Sequence, residues 1–195
     1  MKLADLQVLA QFDLLAPQPL FRVQHARARA GTVKMGRGLL LLPPSHLMGG
    51  RFDRYGEPVA YFAERPETAL YEALCRREAT GVSYTLLAQR ALLSVQTTAQ
   101  LSLLDLRPHT PSWPVLQSLR FDQTQGLAAE AHAAGLAGIV YRSAQQYGMD
   151  CYALWGPALT ALHRVSLEGL LEPHTGNLHG ALATALQGSQ VPLLP

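Results

Sequence analysis

An arginine in a glycine-rich segment is the first candidate for chemistry in this chain. Arg51 directly follows Gly49 and Gly50. Glycine lets the backbone approach a ligand closely, and a guanidinium group can bind phosphate through two hydrogen bonds at once. The segment therefore indicates phosphate binding, although a solvated loop arginine is the alternative interpretation.

A tyrosine in a predicted strand is the second candidate. The run over 57–63 is β-prone, and the two-residue period of a strand places Val59, Tyr61 and Ala63 on one face, with Ala60 and Phe62 on the other. A tyrosine at this position can stack on an aromatic ligand, or it can simply pack in the core.

A glutamate in the next predicted helix is the third candidate. Glu72 lies in a helix predicted over 66–77, on the flank of an apolar stripe that consists of Ala69, Leu70, Ala73 and Leu74. There it can act as a catalytic carboxylate at the edge of a pocket. Local spacing favours the simpler alternative, an exposed carboxylate paired with Arg76 four residues on.

A serine at the end of an apolar run is the fourth candidate. Ser143 follows the β-prone segment 138–142. Its hydroxyl can orient a ligand or a catalytic carboxylate, and it can equally cap the turn that follows the strand.

Motifs for other common chemistries are missing from the sequence. It contains no serine-hydrolase elbow, no HExxH zinc motif, no P-loop and no dinucleotide-binding GxGxxG. The seven histidines are scattered, and Cys75 and Cys151 form no CxxC pair. We therefore predict no metal site and two buried, reduced thiols.

The elements that must position the four candidates follow from hydrophobic periodicity and from Gly and Pro positions. Strands are predicted over 20–25, 57–63, 82–88, 91–96, 101–106, 138–142, 151–155 and 161–167, and helices over 3–16, 66–77, 124–134 and 178–187. The segment 26–50 contains many Gly and Pro residues and is predicted to be irregular. Short strands and helices without regular βαβ alternation favour an α+β domain.

Length and charge limit the possible functions further. The chain has 195 residues, enough for one domain, and its net charge of +2 is too small to indicate nucleic-acid binding. The stretch between Asp13 and Asp53 contains no acidic residue but six basic ones, namely Arg22, Arg27, Arg29, Lys34, Arg37 and Arg51. This stretch predicts a positive field suited to an anionic small molecule or an acidic partner, with a solvated basic loop as the alternative.

Targeting signals are not visible in the sequence. Asp5 and Asp13 interrupt the apolar N-terminal segment, so it does not resemble a secretory signal. No apolar run is long enough to span a bilayer. We expect a cytoplasmic protein.

Taken in order, the four candidates resemble the RES family, which is named for its Arg, Glu and Ser. The segment GGRFDRYGEPVAYFAERPETALYEAL, residues 49–74, resembles the first motif block of the family, with Arg51, Tyr61 and Glu72 at the expected spacing. The segment TQGLAAEAHAAGLAGIVYRSAQQYGMDCYALW, residues 124–155, resembles the second block, with Ser143 in the serine position. The opening strand of the family also carries an arginine, here Arg22.

The resemblance implies a fold and a domain organisation. It implies an ADP-ribosyltransferase-like, mixed β-sheet core with flanking helices over residues 20–168. Residues 1–19 would form an N-terminal helical extension, and residues 169–195 a C-terminal tail with a weak helix. The turn at 147–150 departs from the Gly-Gly-x-Asn tendency of the family and leaves substrate detail open.

The resemblance also implies an activity. RES toxins of toxin–antitoxin pairs deplete NAD⁺ by hydrolysis or phosphorolysis of the nicotinamide–ribose bond. The expected catalytic residues are Glu72, Arg51 and Tyr61, and the expected substrate-binding residues are Arg22 and Ser143. NAD⁺ would be the substrate, with water or inorganic phosphate as acceptor and no separate cofactor.

The implied partner is an Xre-type helix-turn-helix antitoxin, in an oligomeric complex that contacts DNA only through the antitoxin. Two alternatives remain open at this point. One is a protein-directed mono-ADP-ribosyltransferase that uses the same site, and the other is a non-catalytic RES interaction module.

Overall fold

An eight-stranded sheet of mixed direction runs through the protein, and a computed structural model describes residues 2–6, 10–172 and 174–195. The strands are β1 Gln11–Leu14, β2 Pro19–His25, β3 Val33–Met35, β4 Leu40–Leu42, β5 Val59–Ala63, β6 Val82–Ser83, β7 Arg90–Thr97, β8 Leu101–Asp105, β9 Gly138–Arg142, β10 Asp150–Trp155, β11 Leu162–Gly169 and β12 Leu193–Leu194. The α-helices are α1 Pro66–Ala73, α2 Tyr84–Ala88, α3 Phe121–Ala133 and α4 Gly180–Ser189. Short 3-10 helices span Leu3–Leu6, Arg107–His109, Pro114–Gln117 and Gly156–Leu159.

The order of the strands in the large sheet is β1-β8-β9-β10-β5-β2-β7-β11. Neighbours are antiparallel except β8 and β9, which are parallel, and α3 lies in the connection between them. β2 pairs with β7 over seven residues but with β5 at the single position Phe21–Ala63. The sheet therefore opens between β2 and β5.

Hydrophobic clusters cover both faces of the sheet. One cluster includes Leu70 of α1, Leu127 of α3 and Leu182 of α4, all fully buried. The other includes Leu40 and Leu42 of β4. The α+β class and the mixed sheet with flanking helices are confirmed.

Strand β5 alternates between these two clusters. Val59, Ala63 and the ring of Tyr61 contribute to the first cluster, while Ala60 and Phe62 contribute to the second. The predicted division of the strand into two faces is correct.

The helix predicted over 3–16 is wrong. A 3-10 turn spans Leu3–Leu6, residues 7–9 lie outside the described residues, and Gln11–Leu14 form β1. β1 pairs antiparallel with β8, and Leu14 is buried at 1% exposure. Long-range pairing with β8 thus outweighs the helical spacing of the leucines.

Other boundaries also differ from the prediction. The strand predicted over 82–88 ends after two residues, because the Ser83 hydroxyl accepts a hydrogen bond from the Leu86 amide and caps α2. The segment predicted to be irregular contains the β3–β4 hairpin. Helix α1 ends at Ala73, four residues earlier than predicted.

The C-terminal segment packs on the rest of the fold. The helix predicted over 178–187 is present as α4, which contacts α1, and β12 pairs in parallel with β6. Within the described ranges, no helix is both long and apolar enough to cross a membrane.

Candidate functional site

A cavity of about 220 Å³ lies beside the opening between β2 and β5. Strands β2 and β5, loop residues 49–51 and helix α1 supply the polar part of its wall. Its lining includes four of the five predicted site residues, namely Arg22, Arg51, Tyr61 and Glu72. The fifth, Ser143, is buried behind Glu72 at 2% exposure.

The Glu72 carboxylate is held on one side only. Its Oε1 atom accepts hydrogen bonds from the Ser143 hydroxyl at 2.5 Å, the Ala144 amide at 3.0 Å and the Gln145 amide at 3.3 Å. Its Oε2 atom accepts no hydrogen bond from the described part of the chain. Half of the carboxylate is thus fixed by protein, while the other half is free to interact with a ligand.

The Ser143 hydroxyl contacts both a carboxylate and the turn that follows the strand. This hydroxyl donates to Glu72 and accepts from the amides of Gln145 at 3.1 Å and Gln146 at 2.9 Å, so it also caps the turn after β9. The side-chain amide of Gln117 donates to the Ser143 carbonyl at 2.9 Å.

The predicted pairing of Glu72 with Arg76 is wrong. Arg76 instead pairs with Glu78 at 2.6 Å, and it also lines the cavity. The turn after β9 presents a hydroxyl and two amides to Glu72, and these donors satisfy its Oε1 without Arg76.

Tyr61 is anchored through its hydroxyl, while its ring lines the cavity. The hydroxyl donates to Oδ1 of Asp53 at 2.8 Å and accepts from the Phe52 amide at 2.8 Å. Burial, reinforced by the Asp53 charge, raises the pKa of Tyr61 well above its usual value. The phenol is therefore neutral at physiological pH, and its ring is available for stacking.

Gly50 is required where the loop passes Tyr61. A Cβ atom on Gly50 would lie 2.5 Å from Oδ1 of Asp53 and 2.5 Å from the Tyr61 hydroxyl oxygen, which is too close for any side chain. The Gly50 amide donates to Oδ2 of Asp53 at 2.6 Å. Asp53 is a site residue that the sequence analysis missed, and its position three residues after Gly50 is the local signal for this turn.

Arg51 is buried at 8% exposure, so its interpretation as a solvated loop arginine is wrong. Its Nη1 atom donates to the carbonyls of Leu116 at 2.7 Å and Ser118 at 2.6 Å. Its guanidinium carbon lies 5.3 Å from the ring centroid of Phe121, close enough for a cation–π contact. Arg51 thus joins loop 49–53 to the segment before α3 and places a positive charge in the cavity wall.

Arg22 lies at the position where β2 and β5 separate. Its Nη1 atom donates to the Tyr61 carbonyl at 3.0 Å, while its buried Nε atom has no partner in the described ranges. Burial lowers the pKa of Arg22 to about 10, although Tyr61 and Asp53 act in the opposite direction. The side chain therefore remains charged at neutral pH.

The cavity thus contains a carboxylate with one free oxygen, a neutral aromatic ring, one buried cation at Arg51 and one partly buried cation at Arg22. A carboxylate of this kind can stabilise positive charge that develops on a ligand, and guanidinium groups can hold an anionic part of the same ligand. The described ranges contain no group of three or more His, Cys, Asp or Glu side chains placed to hold a metal ion. Cys75 and Cys151 are free and buried, as predicted.

Comparison with known proteins identifies a family and a fold. The family model described as the RES domain matches residues 19–174. No curated protein matches the chain significantly in sequence. A chain in the crystal structure of the M. tuberculosis MbcT–MbcA toxin–antitoxin complex superposes with a TM-score of 0.54 at 17% identity, covering 80% of this chain and 85% of that one. At this level of identity, the likeness establishes a shared fold.

Proposed function

This chain belongs to the RES-domain family, and from that premise we propose that it is the toxin of a toxin–antitoxin pair that cleaves NAD⁺ at the nicotinamide–ribose bond. Such cleavage would deplete cellular NAD⁺. The observation that carries the proposal is the Glu72 carboxylate, fixed through Oε1 by Ser143 and free at Oε2 inside a cavity lined by arginines and tyrosine.

The chemistry of this bond suits such a site. When the C–N bond breaks, its electron pair passes to the pyridinium nitrogen, so nicotinamide leaves as a neutral molecule and no general acid is required. Positive charge then develops on the ribose, as in glycoside hydrolysis. Glu72 Oε2 would stabilise this charge and bind a ribose hydroxyl.

The ribosyl cation is then captured by a nucleophile. Water gives ADP-ribose, and inorganic phosphate gives ADP-ribose that carries a phosphate on the anomeric carbon. In the first case, the proton of the attacking water passes to solvent.

The remaining site residues would bind and orient the substrate. The Tyr61 ring would stack on nicotinamide, and Arg22 and Arg51 would hold the phosphates or ribose of NAD⁺. Ser143 would act as a positioning residue, because it contacts Glu72 and is itself buried.

We further propose an antitoxin of the Xre helix-turn-helix type as partner, with DNA contacted only by that antitoxin. The similar M. tuberculosis structure was solved as a toxin–antitoxin complex, which supports a protein partner. Co-purification of the chain with the product of a neighbouring reading frame would test this part of the proposal. We expect both proteins to act in the cytoplasm.

The activity is tested by incubating purified, antitoxin-free protein with NAD⁺, with and without inorganic phosphate, and separating the products by chromatography. We expect release of nicotinamide, and a phosphate-dependent product would identify the acceptor. Stable addition of ADP-ribose to a protein would favour the mono-ADP-ribosyltransferase instead. Unchanged NAD⁺ with folded protein would contradict cleavage.

The role of Glu72 is tested with Glu72→Gln, which keeps the size of the side chain and removes its charge. We expect turnover to fall at least about a hundredfold, because the charge that stabilises the transition state is lost. Glu67→Gln, five residues earlier on α1 and outside the cavity lining, is the matched control and should retain full activity. A folded Glu72→Gln protein with normal turnover would remove Glu72 from the mechanism.

A further inference from the structure

A second cavity of about 310 Å³ adjoins the first. Arg22 and Val23 line both, so the two cavities meet where β2 separates from β5. The charged residues that line the second cavity are all basic: Arg22, Arg29 and Arg90, with the titratable His25 beside them. No Asp or Glu occurs in its lining.

The pairing of two strands accounts for part of this cluster. His25 at the end of β2 lies directly opposite Arg90 at the start of β7 in the antiparallel register. Two basic residues in opposite positions stabilise a sheet poorly, since protonation of the histidine places like charges together. The loop after β2 then brings Arg29 to the same cavity.

These positive charges are not neutralised inside the protein. Arg29 donates to the side-chain oxygen of Gln89 and Arg22 donates to a carbonyl, and both of these partners are neutral. The Arg90 side chain forms no hydrogen bond or ion pair within the described ranges. The buried Nε atoms of Arg22 and Arg90 also have no partner there.

The basic groups of the cluster repel one another. Burial lowers the pKa of Arg90, and the nearby charge of Arg29 lowers it further. The pKa of His25 is lowered by burial, then by Arg90 and Arg29. A bound anion would reverse this repulsion, so the arrangement indicates a ligand-binding role more than a contribution to folding stability.

We propose that this second cavity is an anion site for a phosphate group, formed by Arg29, His25 and Arg90. A planar guanidinium matches the geometry of phosphate oxygens, and a cavity of this volume suits a small anion. Two sources share this chemistry: a phosphate of a dinucleotide whose nicotinamide end lies at Glu72, or free inorganic phosphate. The first source rests on the proposed function, and the second does not.

The proposal is tested by measuring ligand binding. Isothermal titration calorimetry is carried out with ADP-ribose and, separately, with inorganic phosphate. We expect wild-type protein to bind at least one of them, and Arg90→Gln and Arg29→Gln to weaken that binding about tenfold or more. The ligand whose binding is weakened identifies the source of the phosphate group. Arg164→Gln, which changes the charge equally on exposed β11, is the matched control and should bind like wild type.

The outcome of this binding test does not depend on whether the protein cleaves NAD⁺. If wild type binds neither ligand, or if both cavity variants bind like wild type, the anion site is overturned even if NAD⁺ is cleaved. If binding depends on Arg90 but NAD⁺ is not cleaved, the anion site stands and the proposed function fails. Arg29 lies on an exposed loop, so Arg29→Gln keeps the test valid if Arg90→Gln does not fold.

Discussion

The Ser143 hydroxyl lies 2.5 Å from Oε1 of Glu72, although 71 residues separate the two in sequence. The serine directly follows β9, a central strand of the sheet, and the glutamate lies on a helix that packs against the sheet. This contact fixes the direction in which the free oxygen of the carboxylate points. Its loss should therefore affect catalysis more than substrate binding.

Ser143→Ala should lower kcat about 10- to 100-fold with little change in KM. The variant loses one hydrogen bond to a charged carboxylate, which contributes about 1.5–3 kcal/mol. Steady-state kinetics of NAD⁺ cleavage measures the effect, and Ser112→Ala, at an exposed serine, is the control. Restored kcat in Ser143→Thr would support positioning through the hydroxyl, whereas an increase in KM alone would contradict it.

How much of the site could be predicted differs from residue to residue. Arg51, Tyr61 and Glu72 were found because their order and spacing lie within one continuous segment that resembles the RES family. The Glu72–Ser143 contact depends on how a helix packs on a distant strand, and local spacing pointed to Arg76 instead. Asp53 was missed because its role exists only once Tyr61 is folded against the loop.

Prediction of the fold failed where distant pairing decided the local structure. The leucines before Leu14 follow helical spacing, but β1 is a strand because β8 provides a partner for it. The strands that alternate or are apolar throughout, such as β5 and β10, were predicted correctly because their patterns are local.

Gly50→Ala should destabilise loop 49–53, and Gly49→Ala should not. A Cβ at position 50 would displace Asp53 or the Tyr61 hydroxyl, which overpacks the loop at a cost of about 1–3 kcal/mol. A Cβ at position 49 would meet no atom within 4 Å. Thermal unfolding of the two variants should differ clearly, and equal destabilisation of both would contradict this account of the loop.

Arg107→Leu should destabilise the protein more at neutral than at acidic pH. Arg107 pairs with Asp105 at 2.7 Å and with Asp150 at 2.6 Å. Burial acts to raise the pKa of Asp105, but the hydrogen bonds and charge of Arg107 outweigh it and leave that pKa below its usual value. The stabilisation from ionised Asp105 is thus present above about pH 4 and is lost as the pH falls through the lowered pKa.

Removal of the arginine leaves two buried carboxylates without this partner, at a cost of up to about 3 kcal/mol at pH 7. Protonation of Asp105 relieves part of that cost, so the difference from wild type should shrink at pH 3.5. Urea unfolding at both pH values measures this difference. If the free energy of unfolding of the variant differs from that of wild type by the same amount at both pH values, ionisation of Asp105 is excluded as the source of the difference.

Leu182→Ala should destabilise the protein, because the C-terminal helix α4 supports α1, the helix that carries Glu72. Leu182 of α4 is fully buried in one cluster with Leu70 of α1, although it lies beyond the segment matched by the family model. The substitution leaves a cavity and should lower the free energy of unfolding by about 2–5 kcal/mol. Thr184→Ala, at an exposed position of the same helix, should change it by less than about 0.5 kcal/mol. If urea unfolds both variants at the wild-type midpoint, α4 does not stabilise α1, and Glu72 must be positioned by β9 and its turn alone.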